Sequence, residues 1–329
     1  MRGTAKMLGV TWGLLLAAAG CGGSGDDECH PDKISGTSYK FATNSIKLPT
    51  SAMSYALDID GDMRPDNQLR AIVGAISSAN FDLQGPVDKS VADGEAVILV
   101  DLVASDLMNG CAKATLYLAN RPMGKPKFDG TDSFTINTAQ KPTVLYGKIT
   151  AGKMSSILPK DQKNDQVQTI QVKLPLAMGE LPLTLYGVHA QGNVTEREIK
   201  GGELHGVIRK ADIDTQIIPA VASLLTDQIR KNPTGSATET IIRLFEDTMG
   251  NEASKKKCMM TPAKCCSTPA TRQTCEILPD EVRSNALIGN VLAADVQVFQ
   301  DGMWNPVPKG TMKDAMSVGL GYTAVRANF

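Results

Sequence analysis

Apolar and polar residues alternate in short runs along most of the chain, and this alternation predicts β-strands. Turn-forming residues separate the runs, among them Asn109-Gly110, a pair typical of a hairpin turn. One or two strands are predicted within residues 29–57, where 45–48 is one alternating piece. Further strands are predicted at 96–103, 113–118, 144–150, 169–176, 181–189 and 194–208, the last of them interrupted by Gly201-Gly202. Short strands with turns at this spacing predict a β-sandwich.

A helical period replaces the alternation in two parts of the chain. Near the start, Leu69, Ile72, Val73 and Ile76 recur at helical spacing. Helices are predicted at residues 65–77, 86–92, 214–229, 238–246 and 279–292, and closing strands at 296–299 and 316–329. The sequence therefore predicts a mainly β, β-sandwich-like fold with helical segments, α+β overall.

These patterns divide the chain into five segments. They are a lipoprotein signal peptide at 1–20, a flexible tether at 21–28, a β-rich sandwich at 29–210, a helical segment at 211–292 with a cysteine-rich loop at 250–278, and the closing strands of the sandwich at 293–329. The length of 329 residues and the hydrophobic fraction of 42% suffice for a large core. The 34 basic and 35 acidic residues lack the basic excess of a general nucleic-acid binder.

The amino terminus has the pattern of a secretory signal. Arg2 and Lys6 precede an apolar stretch at 7–20 that ends in small residues before Cys21. Ala18-Ala19-Gly20-Cys21 resembles the lipobox of bacterial lipoproteins, which implies cleavage before Cys21 and acylation of this residue. The alternative is an ordinary signal peptide whose cysteine joins a disulfide. The apolar-free tether that follows favours a lipid anchor in the cell envelope. Gly22 rather than Asp follows the cysteine, and by resemblance to the sorting of lipoproteins in enteric bacteria this implies the outer membrane.

The other six cysteines predict disulfides, because an even number in an exported chain is typical of them. They are Cys29, Cys111, Cys258, Cys265, Cys266 and Cys275. Adjacent Cys265 and Cys266 are not expected to bond to each other. Two pairings of the last four therefore remain open, 258–265 with 266–275 or 258–266 with 265–275, and Cys29 pairs with Cys111 by elimination. A zinc site is disfavoured because the spacing lacks the C-x2-C knuckles of common zinc folds.

An acidic loop at 58–67 carries the strongest chemical signal. Its predicted metal ligands are the carboxylates of Asp58, Asp60, Asp62 and Asp66, at loop positions 1, 3, 5 and 9, and the carbonyl of Arg64 at position 7. Calcium prefers six to eight oxygen ligands, and this spacing lets one short loop supply several of them. Four carboxylates within nine residues repel one another without a cation, so the loop predicts structural Ca²⁺.

The pattern D-x-D-G-D-x-x-x-D resembles the calcium loops of thrombospondin type 3 repeats and of integrin propeller blades. The loop differs from them in having Met63 where they have Gly, and position 12 is Leu69 rather than the Glu of an EF-hand. The alternative interpretation is a solvated acidic turn in which Asp66 or Asn67 caps the following helix.

The lipobox, the segment D-x-D-G-D-x-x-x-D-N-x-L and a closing segment at 313–325 occur together in this chain. In this combination the chain resembles a group of surface lipoproteins of gliding soil bacteria. The group has no known function, so the resemblance implies a location and a calcium-type loop but no activity.

Motifs of common enzyme classes are missing from the sequence. Of the three histidines, His30, His189 and His205, the last two lie in predicted strands without a His, Cys or Glu at ligand spacing. The chain has no nucleophile elbow, H-E-x-x-H helix, P-loop or dinucleotide fingerprint. We therefore expect a lipid-anchored, calcium-stabilised envelope protein with a binding or scaffold role and without catalysis. It would contact the membrane through lipid on Cys21 and an envelope protein or polysaccharide, and no nucleic acid. The alternatives are a hydrolase of surface polysaccharide or peptide and a structural partner of an outer-membrane complex.

Overall fold

The computed structural model describes residues 29, 34–51, 53–78, 82–158, 162–163, 167–176, 179–245, 252–301 and 303–329. The predicted signal peptide, the lipidation site Cys21, the tether and His30 lie outside the described residues. None of the helices in this part of the chain combines the length and the apolar character needed to cross a lipid bilayer.

Twelve strands are present in the described part of the chain. They are β1 (Thr37–Lys47), β2 (Ile98–Ala104), β3 (Asn109–Leu118), β4 (Thr143–Thr150), β5 (Lys153–Ser156), β6 (Gln162–Lys163), β7 (Thr169–Leu176), β8 (Gly179–Val194), β9 (Glu198–Arg209), β10 (Phe299–Gln300), β11 (Met303–Trp304) and β12 (Ala315–Arg326). The prediction of a mainly β chain with helical segments is confirmed.

Eight of these strands form one antiparallel barrel in the order β5-β4-β3-β2-β1-β12-β9-β8. The barrel closes because Lys153 to Ser155 of β5 pair with Gln191 to Asn193 at the end of β8. The first half of β8 pairs instead with β7. The β-sandwich prediction is therefore wrong: a single sheet curls onto itself. Inward and outward residues alternate in the same way in both architectures, so the hydrophobic pattern does not distinguish them.

Each predicted helix has a counterpart, but the segment at 279–292 forms two short helices and an unpredicted helix, Glu252–Met260, lies in the predicted cysteine-rich loop at 250–278. The helices are α1 (Leu69–Ser78), α2 (Gln84–Ala92), α3 (Lys210–Asp212), α4 (Ile218–Lys231), α5 (Ser236–Phe245), α6 (Glu252–Met260), α7 (Pro279–Ser284) and α8 (Ala286–Val291). A π-helical turn, Ile213–Ile217, joins α3 to α4. Helices α3 to α8 lie between β9 and β12 in sequence, and apolar residues of α4, α5 and α7 share one core with the barrel interior.

Three disulfides cross-link the chain. Cys29 is bonded to Cys111, and the open alternative is resolved as Cys258–Cys265 with Cys266–Cys275. Cys266 and Cys275 are fully buried in the main core. The cysteine-rich segment thereby holds α6 close to α7, where the buried Lys257 ammonium lies 2.9 Å from the Glu281 carboxylate.

Candidate metal centre

The acidic loop lies between β1 and α1 and is closed at its base by two hydrogen bonds. The amides of Leu57 and Asp66 each donate to the other residue's carbonyl, at 3.3 and 2.8 Å. Gly61 and Met63 have positive φ angles of 82° and 69°. Glycine adopts this conformation at no steric cost, whereas methionine does so with strain. Met63 therefore occupies a backbone conformation that glycine adopts more easily.

Three carboxylates converge inside this loop. One ligand oxygen from each of Asp58, Asp60 and Asp66 lies within 4.8 Å of the others. Asp60 is only 2% exposed, and the other two are half-buried. Hard anionic oxygens at this separation could hold a metal ion, and they are the donors that Ca²⁺ and Mg²⁺ prefer.

Backbone amides orient these carboxylates. Asp58 accepts hydrogen bonds from the amides of Gly61, Asp62 and Met63 at 2.8 to 3.0 Å. Asp60 Oδ1 accepts from the Asp62 amide at 3.1 Å. The amide of Ile59 donates to Asp66 Oδ2 at 3.1 Å. The loop therefore folds around its acidic side chains, and the amide dipoles offset part of their mutual repulsion.

Burial makes the cluster electrostatically costly when no cation is bound. Burial raises the pKa of Asp66 to about 7, the amide of Ile59 opposes that rise, and the nearby charges of Asp60 and Asp295 add to it. Burial also raises the pKa of Asp60. The Lys313 ammonium, 3.7 Å from Asp60 Oδ2, supplies a single positive charge at the edge of the cluster. A divalent cation would stabilise the ionised carboxylates more strongly.

The other two predicted ligands lie outside this group of three. Asp62 is half-buried, and its Oδ1 accepts a hydrogen bond from the Arg64 amide at 2.9 Å. Arg64 is exposed. Ligation by the Asp62 carboxylate and the Arg64 carbonyl stays a prediction.

A link between the loop and β12 escaped the sequence analysis. Asn67 Nδ2 donates to the carbonyls of Ser54, Tyr55 and Gly319 at 2.9 to 3.1 Å, and its Oδ1 accepts from the Gly319 amide at 3.0 Å. The amide of Gln68 donates to the Ser317 carbonyl at 3.1 Å. The segment at 58–69 and the segment at 313–325, which are the two sequence features that occur together with the lipobox, are therefore in contact.

Two glycines of β12 make this contact possible. A Cβ atom on Gly319 would lie 1.8 Å from the Tyr55 carbonyl oxygen, and one on Gly321 would lie 2.2 Å from the Tyr55 ring. Any side chain at either position would therefore force the segment around Tyr55 away from the barrel wall. The glycines fix the acidic loop against the outer surface of the barrel.

His189 and His205 form a separate buried pair on β8 and β9. They are direct cross-strand partners, and their ring centroids lie 5.7 Å apart. His205 Nε2 donates to Glu203 Oε2 at 3.1 Å, and this bond lowers the pKa of Glu203. Burial lowers the pKa of His189 to about 4, so this ring is neutral at pH 7. Both histidines lie in predicted strands, but their pairing depends on the register of the β8–β9 hairpin, which is irregular at two places, and residue spacing alone does not predict it.

Comparison of the chain with protein-family models, with curated proteins and with solved structures found no match.

Proposed function

We propose that the protein is a lipid-anchored component of the bacterial cell envelope that binds calcium for stability and acts by holding a ligand or partner rather than by catalysis. The observation that carries the proposal is the convergence of Asp58, Asp60 and Asp66 in a loop that Asn67 joins to β12. The resemblance of residues 18–21 to a lipobox supports the anchor.

Calcium is the cation that suits this loop. Ca²⁺ accepts six to eight oxygens in flexible geometry, whereas Mg²⁺ requires a near-ideal octahedron and keeps several waters. Asp58, Asp60 and Asp66 would supply the first ligands, and Asp62 and the Arg64 carbonyl would complete the set. The ion would then stabilise the loop, and through Asn67 its attachment to the barrel. That is a structural role, which fits a binding or scaffold protein.

Calcium melting curves test the metal assignment. The purified mature protein should unfold at a higher temperature in millimolar Ca²⁺ than in a chelator, because a ligand that binds only the folded state stabilises it by mass action. Equimolar Mg²⁺ should give a smaller rise. Identical curves in Ca²⁺ and in chelator would reduce the loop to an acidic turn.

Fractionation of cells tests the anchor separately. Wild-type protein should sediment with membranes and resist a high-salt wash, whereas Cys21→Ala should appear in the soluble exported fraction, because acyl chains on Cys21 supply the membrane affinity. Ser24→Ala is the control, since it changes a small polar residue three positions later and should leave the protein on the membrane. Membrane retention of Cys21→Ala would contradict lipidation.

A further inference from the structure

A cavity of about 270 Å³ opens at the end of the barrel where β2 begins and β3 ends. Its wall is mainly aliphatic and is formed by Ile46, Val87, Ile98, Leu118, Val172, Leu204 and Leu320, among others. Four of these, Ile46, Ile98, Leu204 and Leu320, also line a smaller chamber of about 30 Å³, together with Ala190. An eight-stranded barrel is just wide enough to be filled by side chains or to hold one small ligand. The small side chain of Ala190 helps to leave that space open.

Polar side chains stand at the mouth of this cavity. They are Glu95, Arg121, Asn137 and Gln140. Arg121 Nη1 lies 2.9 Å from Glu95 Oε1, and a guanidinium group has five N–H donors, so it can bind a second anion without leaving Glu95. Among the described residues, the side-chain N–H groups of Asn137 and Gln140 donate no hydrogen bond. The mouth therefore offers side-chain N–H donors that are available to a ligand.

The charged side chains that line the mouth, Arg121 and Glu95, form one ion pair. Beside Glu95, the Asp93 carboxylate is paired with two ammonium groups, Lys125 at 2.7 Å and Lys89. An anionic group at the mouth can therefore contact the remaining N–H donors of Arg121 without breaking the existing ion pairs.

The mouth is held in shape by close packing. A Cβ on Gly94, whose φ is 76°, would lie 2.6 Å from Pro122 Cγ and 3.0 Å from Pro126 Cγ. The turn that carries Glu95 is thereby packed against the prolines that follow Arg121. On the other side, fully buried Val87 of α2 closes the wall. A preformed apolar cavity with a few convergent polar groups is the usual form of a small-molecule site.

We propose that the barrel cavity binds the hydrocarbon chain of an anionic amphiphile, with its charged head held at the mouth by Arg121, Asn137 and Gln140. At about 30 Å³ for each water-sized volume, the cavity holds a chain of about nine non-hydrogen atoms. This site goes beyond the proposed calcium-stabilised envelope role, and it does not require the metal. A free fatty acid and a lysophospholipid share the required chemistry.

Titration calorimetry of the full mature protein with sodium decanoate tests the site. Decanol, which lacks the charge, and acetate, which lacks the chain, are the matched ligands, and a decanoyl lysophosphatidate distinguishes the two sources. We expect saturable binding of decanoate or of the lysophosphatidate, at least tenfold tighter than that of decanol, and none of acetate. Whichever of the two anions binds more tightly identifies the ligand class, a free fatty acid or a lysophospholipid. No binding of either anion would overturn the proposal.

Two pairs of variants place the ligand. Ala119→Phe fills the mouth and should weaken binding at least tenfold, whereas Ala139→Phe, on an exposed residue of the nearby loop, should not. Arg121→Gln should weaken decanoate binding about tenfold but leave decanol unchanged, and Arg326→Gln, exposed on β12, should change neither. Equal decanoate affinities of Ala119→Phe and Ala139→Phe would overturn the site. If Ala119→Phe fails to fold, Arg121→Gln still tests the proposal, because Arg121 is exposed. The same titrations in chelator separate this site from the calcium assignment.

Discussion

Asp60 shows how one carboxylate can serve both the loop and a cation. Its Oδ1 accepts the amide of Asp62, and its Oδ2 faces the Lys313 ammonium. Because the residue is 2% exposed, water contributes little to its solvation, so its charge depends on neighbouring positive groups. Asp62, by contrast, accepts the Arg64 amide outside the group of three carboxylates.

Asp60→Asn should therefore remove most of the calcium-dependent rise in melting temperature, while Asp62→Asn should keep the larger part of it. For the wild-type protein the rise corresponds to about 2.7 kcal/mol at a calcium concentration one hundred times Kd. Each asparagine preserves an oxygen that can accept the backbone amide, so the pair isolates the loss of charge. The measurement is thermal unfolding in Ca²⁺ and in chelator. Equal losses in both variants would show that Asp62 contributes as much to calcium binding as the buried Asp60.

His189 predicts an acid sensitivity that does not involve the metal loop. Its pKa is about 4 in the folded protein against 6.5 when exposed, because burial and the neighbouring His205 disfavour its charge. Between these values the unfolded chain binds a proton that the folded protein does not. This contribution to the free energy of unfolding is complete above pH 6.5 and decreases by about 3 kcal/mol as the pH falls to about 4.

His189→Gln should remove this dependence. The raised pKa of Asp66 has the opposite sign in the same range, since the folded state then binds the proton, so the informative quantity is the difference between variant and wild type. Denaturant unfolding at pH 7 and at pH 4.5 in chelator measures it. Parallel losses of stability in the two proteins would show that His189 titrates normally.

At the scale of elements, the sequence predicted what is local. Strands at 144–150 and 169–176 match β4 and β7 closely, because period-two alternation and turn residues are properties of neighbouring positions. Helix α1 was expected to begin at 65 and begins at Leu69, since Asp66 pairs with Leu57 at the base of the loop. Strand β5, which closes the barrel, has only four residues and followed no recognisable pattern.

The candidate site also has a local part that the sequence predicts and a long-range part that it does not. The carboxylates were found from spacing alone, because one short loop contains them all. Their attachment to β12 was not, because Asn67 and Gly319 are 252 positions apart and no local pattern reports such a contact. The roles of Asn67 and of the glycines in β12 follow from the position of β12 in the barrel. They can be assigned only when the register of the barrel strands is known.

Gly319→Ala tests this attachment, and Gly74→Ala is its control. An added methyl at 319 would meet the Tyr55 carbonyl, whereas one at 74, on exposed α1, meets no atom within 4 Å. We expect Gly319→Ala to cost about 1 to 3 kcal/mol and to weaken calcium binding, because the acidic loop must move. Gly74→Ala should be neutral or stabilise the helix by up to about 1 kcal/mol. Unchanged calcium affinity in Gly319→Ala would separate the loop geometry from β12.

At the scale of the whole molecule, the disulfides divide into one long-range and two local cross-links. Cys29–Cys111 spans 82 positions and fixes the start of the described chain to β3, near the end opposite the cavity mouth. Cys258–Cys265 and Cys266–Cys275 span 7 and 9 positions within the helical segment.

These spans predict unequal contributions to stability. A cross-link stabilises mainly by restricting the unfolded chain, and the restriction grows with the length of the closed loop. Replacing both cysteines of Cys29–Cys111 with serine should cost about 4 to 5 kcal/mol, against about 2 to 3 kcal/mol for Cys258–Cys265. The two pairs are well matched, since each has one buried and one half-buried cysteine, so the polarity of serine affects them similarly. Denaturant unfolding of both double variants measures the difference. An equal or larger cost for the short loop would show that native-state packing, rather than chain entropy, dominates both cross-links.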